Sequence, residues 1–145
     1  MIQRTHIEKE NSNPNFIGSW LMKSSLCDNL VSYFEQHKNK HIQGSTSSGK
    51  NLNFKNRIDL SLSPKEIKLP GNEILEIYFK NLFDCYKDYN LQWPFLESIA
   101  SNLNIGTFNL GRYEKGQHFQ AIHCERTGLN TLHRLFAFMT YLNDV

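Results

Sequence analysis

The sequence is short of the features that define several large protein classes. Its 145 residues contain three cysteines, Cys27, Cys85 and Cys124, which are widely spaced and form no Cys-x-x-Cys pair. An odd number of scattered cysteines argues against a disulfide scaffold and against a zinc site built from thiolates. No apolar run reaches the roughly 18–20 residues of a membrane helix, and residues 1–13 lack the apolar region of a signal peptide. These absences predict a cytoplasmic protein that makes no contact with a membrane.

An excess of charge of either sign is also missing. Sixteen Lys and Arg residues face 14 Asp and Glu residues, which leaves a formal charge of +2. A balance this small gives no electrostatic reason to expect nucleic acid as a partner. Ten Phe, six Tyr and two Trp residues supply enough apolar surface for a folded core, so the chain is not expected to be disordered.

Helical periodicity is concentrated in the first two thirds of the chain. Apolar residues recur at intervals of three and four in two segments and more briefly in a third, and these predict helices over Leu26–His37, Glu73–Asp88 and Pro94–Leu103. Ser24 or Ser25 is expected to cap the first helix, and Asn72 the second. The intervening segments predict a loose polar lead-in at 1–13, extended chain at 16–22 and 53–62, and a Gly/Ser-rich surface loop at 44–51.

After Ile105 the pattern becomes that of strands. Turn signals at 114–116 and 127–130 separate three strand-like segments, Ile105–Tyr113, His118–His123 and Leu135–Leu142. The last is apolar on both faces, which predicts a strand buried between two layers. The sequence thus predicts an α+β fold in one domain over 1–145, with a helical part at 1–104 and strands at 105–145.

The densest group of polar side chains lies at the end of the second predicted strand. Since side chains alternate along a strand, His123 and Glu125 would project from one face and Cys124 from the other. An imidazole and a carboxylate side by side are two of the three ligands in the 2-His-1-carboxylate site that binds non-haem Fe(II). His-x-Glu alone is a weak signal, because such tripeptides also occur on solvated strands.

The residues around this pair carry a resemblance to a known family. The segments YEKGQHFQAIHCE (Tyr113–Glu125) and RLFAFMTYLNDV (Arg134–Val145) resemble the Fe(II)- and 2-oxoglutarate-dependent dioxygenases of the prolyl 4-hydroxylase-like superfamily. FIGSWLMKSSLCDNLVSYFE, near the N-terminus, is more weakly similar to the strand and helix that open these domains. The resemblance implies N-terminal helices packed on a double-stranded β-helix, or jelly-roll, core of which this chain holds the first strands.

The resemblance also implies roles for individual residues. His123 and Glu125 match the first two Fe(II) ligands, with Glu in place of the commoner Asp. Tyr141 matches the tyrosine that binds the distal carboxylate of 2-oxoglutarate, and Tyr113 matches another tyrosine of that cosubstrate pocket. The implied reaction uses O₂ to hydroxylate a C–H bond, in a prolyl or other side chain of a peptide or in a small molecule. It releases succinate and CO₂, with ascorbate keeping the iron reduced.

The sequence departs from the family in one respect. The family's distal His ligand and its Arg or Lys for the cosubstrate carboxylate have no counterpart, because His133 is the only histidine after Glu125 and precedes the apolar strand. We therefore expect a domain truncated at its C-terminus and inactive alone. The alternative is a non-enzymatic jelly-roll module that recognises a peptide or assembles with other chains. A zinc hydrolase using His123, Glu125 and His133 explains fewer of the surrounding residues.

Two further sets of residues carry expectations. Lys55, Arg57 and Asp59 fall in a region that approaches the substrate in relatives, and an ordinary surface role is the equal alternative. Arg134 is expected to form a structural ion pair across the sheet. Cys27 and Cys85 are expected to be small buried residues on helices.

Overall fold

The computed structural model describes residues 2–7, 15–46, 49–100, 102–120 and 122–144. The protein is a mixed α+β structure, as the sequence predicts, whereas the jelly-roll core that the resemblance implies stays a prediction. Its helices are α1 (Ser24–Gln36), α2 (Glu73–Gln92) and α3 (Leu96–Ile99), with 3₁₀ turns at Lys38–Lys40 and Pro64–Glu66. Its strands are β1 (Gln3–Arg4), β2 (Trp20–Leu21), β3 (Ile42–Gln43), β4 (Lys55–Asn56), β5 (Ile58–Leu62), β6 (Phe108–Arg112) and β7 (His118–Phe119).

The strands form small sheets. β1 pairs with β2 and β4 with β7, each antiparallel, and β5 is the central strand of a third sheet ordered β3-β5-β6. Within the described ranges these sheets do not close into a barrel. None of the helices there is long and apolar enough to cross a membrane.

The chain divides into two compact units that each contain two separate stretches of sequence. The first comprises the described residues of Met1–Tyr33 and Ser63–Phe108, and the second those of Phe34–Leu62 and Asn109–Val145.

Helix α2 supplies much of the core of the first unit. It begins at Glu73 as predicted and continues four residues beyond the predicted end at Asp88, to Gln92. Leu75 is 1% exposed, and Phe79 packs edge-to-face on Phe108 with ring centroids 4.7 Å apart. Burial of this apolar face stabilises the helix more than its local propensity does.

Asn72 precedes α2, but its side chain does not cap the helix. Its amide nitrogen donates to the carbonyl of Glu66 over 2.8 Å, and its amide oxygen accepts from the Tyr33 hydroxyl over 2.9 Å. Asn72 therefore ties α1 and the 3₁₀ turn to the start of α2, and its predicted role as a cap was wrong. The prediction that Ser24 or Ser25 caps α1 was also wrong in position, since both residues lie within the helix.

The N-terminal lead-in is partly ordered. Gln3 and Arg4 pair with Leu21 and Trp20, so the prediction of a loose segment over 1–13 was wrong for these two residues, while 8–13 lies outside the described residues. The Arg4 Nε and Trp20 Nε1 atoms each lie 2.7 Å from Asp88 Oδ2. One carboxylate thus anchors both strands to α2.

Buried charge lies at the centre of the second unit's three-stranded sheet. Leu60 and Leu62 on β5 are almost fully buried. Asp59, which lies between Ile58 and Leu60 on the same strand, is only 3% exposed. Asp59 Oδ2 lies 3.0 Å from Lys55 Nζ, and Asp59 Oδ1 lies 2.6 Å from Arg57 Nε. The prediction of extended chain over 53–62 is confirmed from Lys55 onward and wrong for residues 53–54, which belong to a turn. An ordinary surface position is wrong for Lys55 and Asp59.

The strands predicted after Ile105 are shorter than expected. β6 lies within 105–113, and β7 retains only two residues of His118–His123. The helix predicted over Pro94–Leu103 is also shorter than expected, since α3 spans only Leu96–Ile99.

The buried strand predicted over Leu135–Leu142 was wrong. This run has no strand structure, and Met139 and Tyr141 are 76% and 69% exposed. A strand requires a neighbour that accepts its backbone hydrogen bonds, and within the described part of the chain no strand pairs with this run. The apolar composition of this run predicts burial, but the described residues do not bury it.

Replacing Asp59 tests the buried charge cluster. Asp59→Asn would leave Lys55 and Arg57 without their shared counter-charge, and we expect a loss of about 3–5 kcal/mol in the free energy of unfolding. The control is Asp84→Asn, which breaks a solvent-exposed pair with Lys87 and should cost less than about 1 kcal/mol. Urea denaturation followed by circular dichroism measures both, and equal losses would contradict the assigned role of Asp59.

A second carboxylate predicts a pH dependence. Hydrogen bonds from Lys38 and Arg112 lower the pKa of Glu35 below its ordinary value. A lowered pKa means that the folded state favours the ionised carboxylate. This stabilisation is complete above the ordinary pKa near 4.5 and is lost as the pH falls through the lowered value.

The denaturation midpoint of the native protein should therefore fall more steeply below about pH 4.5 than that of Glu35→Gln. Urea titrations from pH 7 to pH 3 measure the difference. Parallel curves for the two proteins would show that the ion pairs of Glu35 contribute nothing to stability.

Candidate functional site

His123 and Glu125 lie close together in the segment that follows β7. The backbone there is irregular rather than a strand, so the alternation that predicted their proximity is not its cause. His123 Nε2 is nevertheless 3.6 Å from Glu125 Oε1, and each side chain is about half exposed, at 50% and 51%. The pair is accessible to a ligand from solvent.

Contacts on either side orient the two groups. The His123 ring stacks on Phe119 of β7, with centroids 4.7 Å apart and planes at 27°. Arg134 Nη1 lies 2.9 Å from Glu125 Oε2. The imidazole is thereby held by an aromatic face, and the carboxylate by a guanidinium on the oxygen farther from the imidazole.

A tight turn brings Arg134 back to Glu125. The Thr131 hydroxyl oxygen accepts from the backbone nitrogens of Thr127 and Gly128, over 3.0 and 3.1 Å. The Arg134 nitrogen then donates to the Thr131 carbonyl over 3.1 Å. Thr and Gly in this arrangement favour a local turn, which reverses the chain between the carboxylate and the guanidinium.

The donor pair suits two positions around one divalent cation. Ligand atoms about 2.1 Å from a shared metal and at adjacent positions lie about 3.0–3.4 Å apart, so the two atoms, at 3.6 Å, would have to approach by a few tenths of an ångström. Glu125 Oε1 is the oxygen nearer the imidazole, while Arg134 contacts Oε2. In the described part of the chain no third His, Cys, Asp or Glu completes a metal-binding cluster with them. The residues present fit a metal through two ligands.

The two tyrosines predicted to bind a cosubstrate have different surroundings. The Tyr113 hydroxyl accepts from Arg57 Nη1 over 2.9 Å, and the guanidinium carbon of Arg57 lies 5.4 Å from the centroid of its ring. Tyr141 belongs to the exposed run 135–142 and is 69% exposed. Tyr113 is therefore positioned by a cation, whereas Tyr141 presents its ring to solvent.

A shallow groove of about 230 Å³ adjoins the carboxylate of the pair. Its lining combines charged and apolar side chains: Cys124, Glu125, Arg126, Arg134, Leu135, Phe136 and Ala137. A groove of this size holds a small molecule or one side chain of a peptide, and it would place that group next to Glu125.

Comparison of the chain with protein-family models, with curated proteins and with solved structures finds no match. The resemblance carried by Tyr113–Val145 therefore stays a prediction. The separation of His123 and Glu125 is the structural observation that bears on it most directly.

Sequence reasoning missed two of these contacts. It placed Arg134 in an ion pair across a sheet, and no local pattern connects Arg134 with Glu125 nine residues earlier. It also left Arg57 unassigned between a substrate-facing and a surface position. The available signal was the alternation of Lys55, Arg57 and Asp59, three charged residues on one side of an extended segment.

The cysteines provide a test of the accessibility of this segment. Cys124 is exposed, Cys27 is buried and Cys85 is half-buried, so the prediction of burial is confirmed for Cys27 and too strong for Cys85. Burial raises the pKa of both the Cys27 and the Cys85 thiol. Nearby carboxylates raise it further: that of Asp28 for Cys27, and those of Asp84 and Asp88 for Cys85.

Since the thiolate is the reactive form, iodoacetamide near neutral pH should alkylate Cys124 well before the other two cysteines. Mass spectrometry of peptides from the native protein measures the order. Cys124→Ser should remove the fast phase and leave the slow phases unchanged. Labelling of Cys27 at the rate of Cys124 would contradict the burial of Cys27 on α1.

Proposed function

We propose that this chain provides part of the metal site of an Fe(II)- and 2-oxoglutarate-dependent oxygenase, on a jelly-roll core of the prolyl 4-hydroxylase type. The observation that carries the proposal is the 3.6 Å separation of His123 Nε2 and Glu125 Oε1 on an accessible segment. The motifs between Tyr113 and Val145 give the same two residues the same role. The substrate is a peptide or small molecule with a C–H bond to be hydroxylated.

When bound, the metal and 2-oxoglutarate would allow O₂ to act as the oxidant for hydroxylation, with release of succinate and CO₂. The residues of this chain bind and orient. His123 offers the lone pair of Nε2, which requires the unprotonated imidazole, and its stacking on Phe119 limits rotation of the ring. Arg134 holds Glu125 Oε2 and leaves Oε1 to bind as a single ligand atom.

Tyr113 and Tyr141 are the proposed contacts of 2-oxoglutarate, and ascorbate is the proposed reductant. A hydroxyl on each tyrosine suits hydrogen bonding to a carboxylate. The distal His ligand and the basic residue that the family uses have no counterpart in the 145 residues. We infer that a complete site needs a further ligand in addition to His123 and Glu125.

One observation favours the second candidate, a non-enzymatic module that binds a peptide. Glu125 already has a cationic partner, because Arg134 Nη1 lies 2.9 Å from its carboxylate. Because Arg134 already balances the negative charge of Glu125, no metal ion is required to neutralise it. In this alternative the groove beside Glu125 holds a side chain of a partner, and His123 is a surface residue.

Anaerobic titration with Fe(II) and 2-oxoglutarate separates the two candidates. It is carried out on the 145-residue chain and on the product of the continuous reading frame that contains it. We expect the weak visible charge-transfer band of a 2-oxo acid bound to iron in the protein that has the complete ligand set. His123→Ala and Glu125→Ala should each abolish the band, since each removes a metal ligand.

His133→Ala is the matched control, because it removes a histidine from the same region that the proposal does not use. The band should survive this change. Its absence from a folded protein that has a downstream His and basic residue would eliminate the oxygenase and leave the binding module. Loss of the band in His133→Ala would reassign the metal ligands.

A further inference from the structure

The cluster of Lys55, Arg57 and Asp59 holds more positive charge than negative charge inside the second unit. Two cations share one carboxylate, and Lys55 and Asp59 are only 7% and 3% exposed. A formal charge of +1 that is shielded from water attracts anions, since both the field and the cost of leaving the charge uncompensated increase as solvent is excluded. The cluster can therefore attract one negatively charged group of a ligand.

The two cations differ in what they can offer. Lys55 is committed to the interior, because its Nζ atom donates to the Ser45 carbonyl over 3.1 Å and lies 3.0 Å from Asp59. Arg57 has its Nε against Asp59 and its Nη1 on the Tyr113 hydroxyl, and no described residue contacts its Nη2 through a hydrogen bond. The side chain of Arg57 is 18% exposed, so its outer edge faces solvent.

The Tyr113 hydroxyl adds a second donor next to that edge. Its oxygen accepts from Arg57, which leaves its hydrogen available to a further acceptor. Tyr113 is 45% exposed. A guanidinium N–H and a phenolic O–H are thus presented together to solvent, on groups that Asp59 holds in place.

Two glycines make room for this arrangement. A Cβ atom on Gly111 would lie 3.0 Å from the guanidinium carbon of Arg57 and 3.1 Å from Asp59 Oδ1. A Cβ atom on Gly44 would lie 3.0 Å from Cε of Lys55. A Cβ atom at either position would be closer than an ordinary van der Waals contact, and the neighbouring charged side chains would have to shift by a few tenths of an ångström.

We propose that Arg57 and Tyr113 bind a carboxylate group of a ligand. Two adjacent donors and one uncompensated positive charge match a planar monoanion with two oxygens. A phosphate carries up to two charges and three acceptor oxygens, which exceeds what the site provides. Asp59 is the positioning residue, and the carboxylate comes from a free dicarboxylate or from an acidic side chain of a peptide.

The binding requires no metal and uses neither His123 nor Glu125, although it shares Tyr113 with the proposed cosubstrate contacts. The test is a titration of the ¹⁵N-labelled 145-residue chain, in the presence of a chelator, with glutarate and with N-acetyl-glutamate amide. The arginine side-chain Nε–Hε resonances are followed, and Arg57→Gln identifies the signal of Arg57. We expect saturable shifts of this signal with both probes and none with glutaramide, the uncharged diamide of glutarate.

Three variants define the site. Arg57→Gln should weaken binding about tenfold or more, because it removes the charge-assisted hydrogen bond. It still leaves Lys55 and Asp59 as a one-to-one ion pair, so the protein should fold. Tyr113→Phe should weaken binding severalfold. Arg112→Gln, which removes an arginine paired with Glu35 on the surface, is the matched control and should leave the affinity within about twofold.

The comparison of probes identifies the source of the carboxylate. Tighter binding of glutarate indicates a free dicarboxylate, and tighter binding of N-acetyl-glutamate amide indicates an acidic peptide side chain. His123→Ala should bind both as the native chain does, so failure of the metal site would not affect this result. Absence of a shift with either probe, an equal shift with glutaramide, or unchanged affinity in Arg57→Gln would overturn the proposal.

Discussion

The carboxylate of Asp59 is the constraint on which the second unit depends. It lies on the central strand of a three-stranded sheet, where an unpaired charge is most costly, and it holds two cations at 2.6 and 3.0 Å. Gly111 on β6 and Gly44, directly after β3, leave space for these three side chains. The ion pair with Asp59 fixes the position of Arg57, and Arg57 in turn donates to the Tyr113 hydroxyl over 2.9 Å.

Glu125 provides the opposite case in the same unit. Its ion pair with Arg134, at 2.9 Å, lies between the two of Asp59 in length, yet both side chains are about half exposed. An exposed pair contributes only about 0–1 kcal/mol, because water solvates the separated charges nearly as well. Glu125 is consequently free to exchange or share its partner with an incoming cation or ligand. Asp59 is buried and does not exchange its partners in this way. Asp59 therefore suits a positioning role, and Glu125 suits the binding of a ligand.

The sequence predicted the parts of the fold that depend on local pattern. The starts of α1 and α2 agree with it to within two residues, because an amphipathic helix satisfies its own backbone and needs only one face covered. The prediction of a strand over 135–142 was wrong for the opposite reason. Its apolar residues specify burial, but a strand exists only beside a partner, which single-sequence periodicity does not identify.

The candidate site shows the same division. His-x-Glu correctly placed two metal-ligand types together, although the irregular backbone that joins them differs from the predicted strand. The contacts of Arg134 with Glu125 and of Arg57 with Tyr113 span 9 and 56 residues. Long-range pairs of this kind depend on turns and strand pairing, so composition and spacing did not reveal them.

The two proposals place opposing demands on Tyr113. The resemblance places Tyr113 in the 2-oxoglutarate pocket, while its hydroxyl accepts a hydrogen bond from Arg57 in the structure. Both hold if the cosubstrate supplies the carboxylate, since Arg57 then provides the positive charge that the family takes from a later segment. If an acidic substrate group supplies it instead, Tyr113 belongs to substrate recognition and Tyr141 remains the cosubstrate contact. The identity of the carboxylate at Arg57 therefore decides which tyrosine the cosubstrate uses.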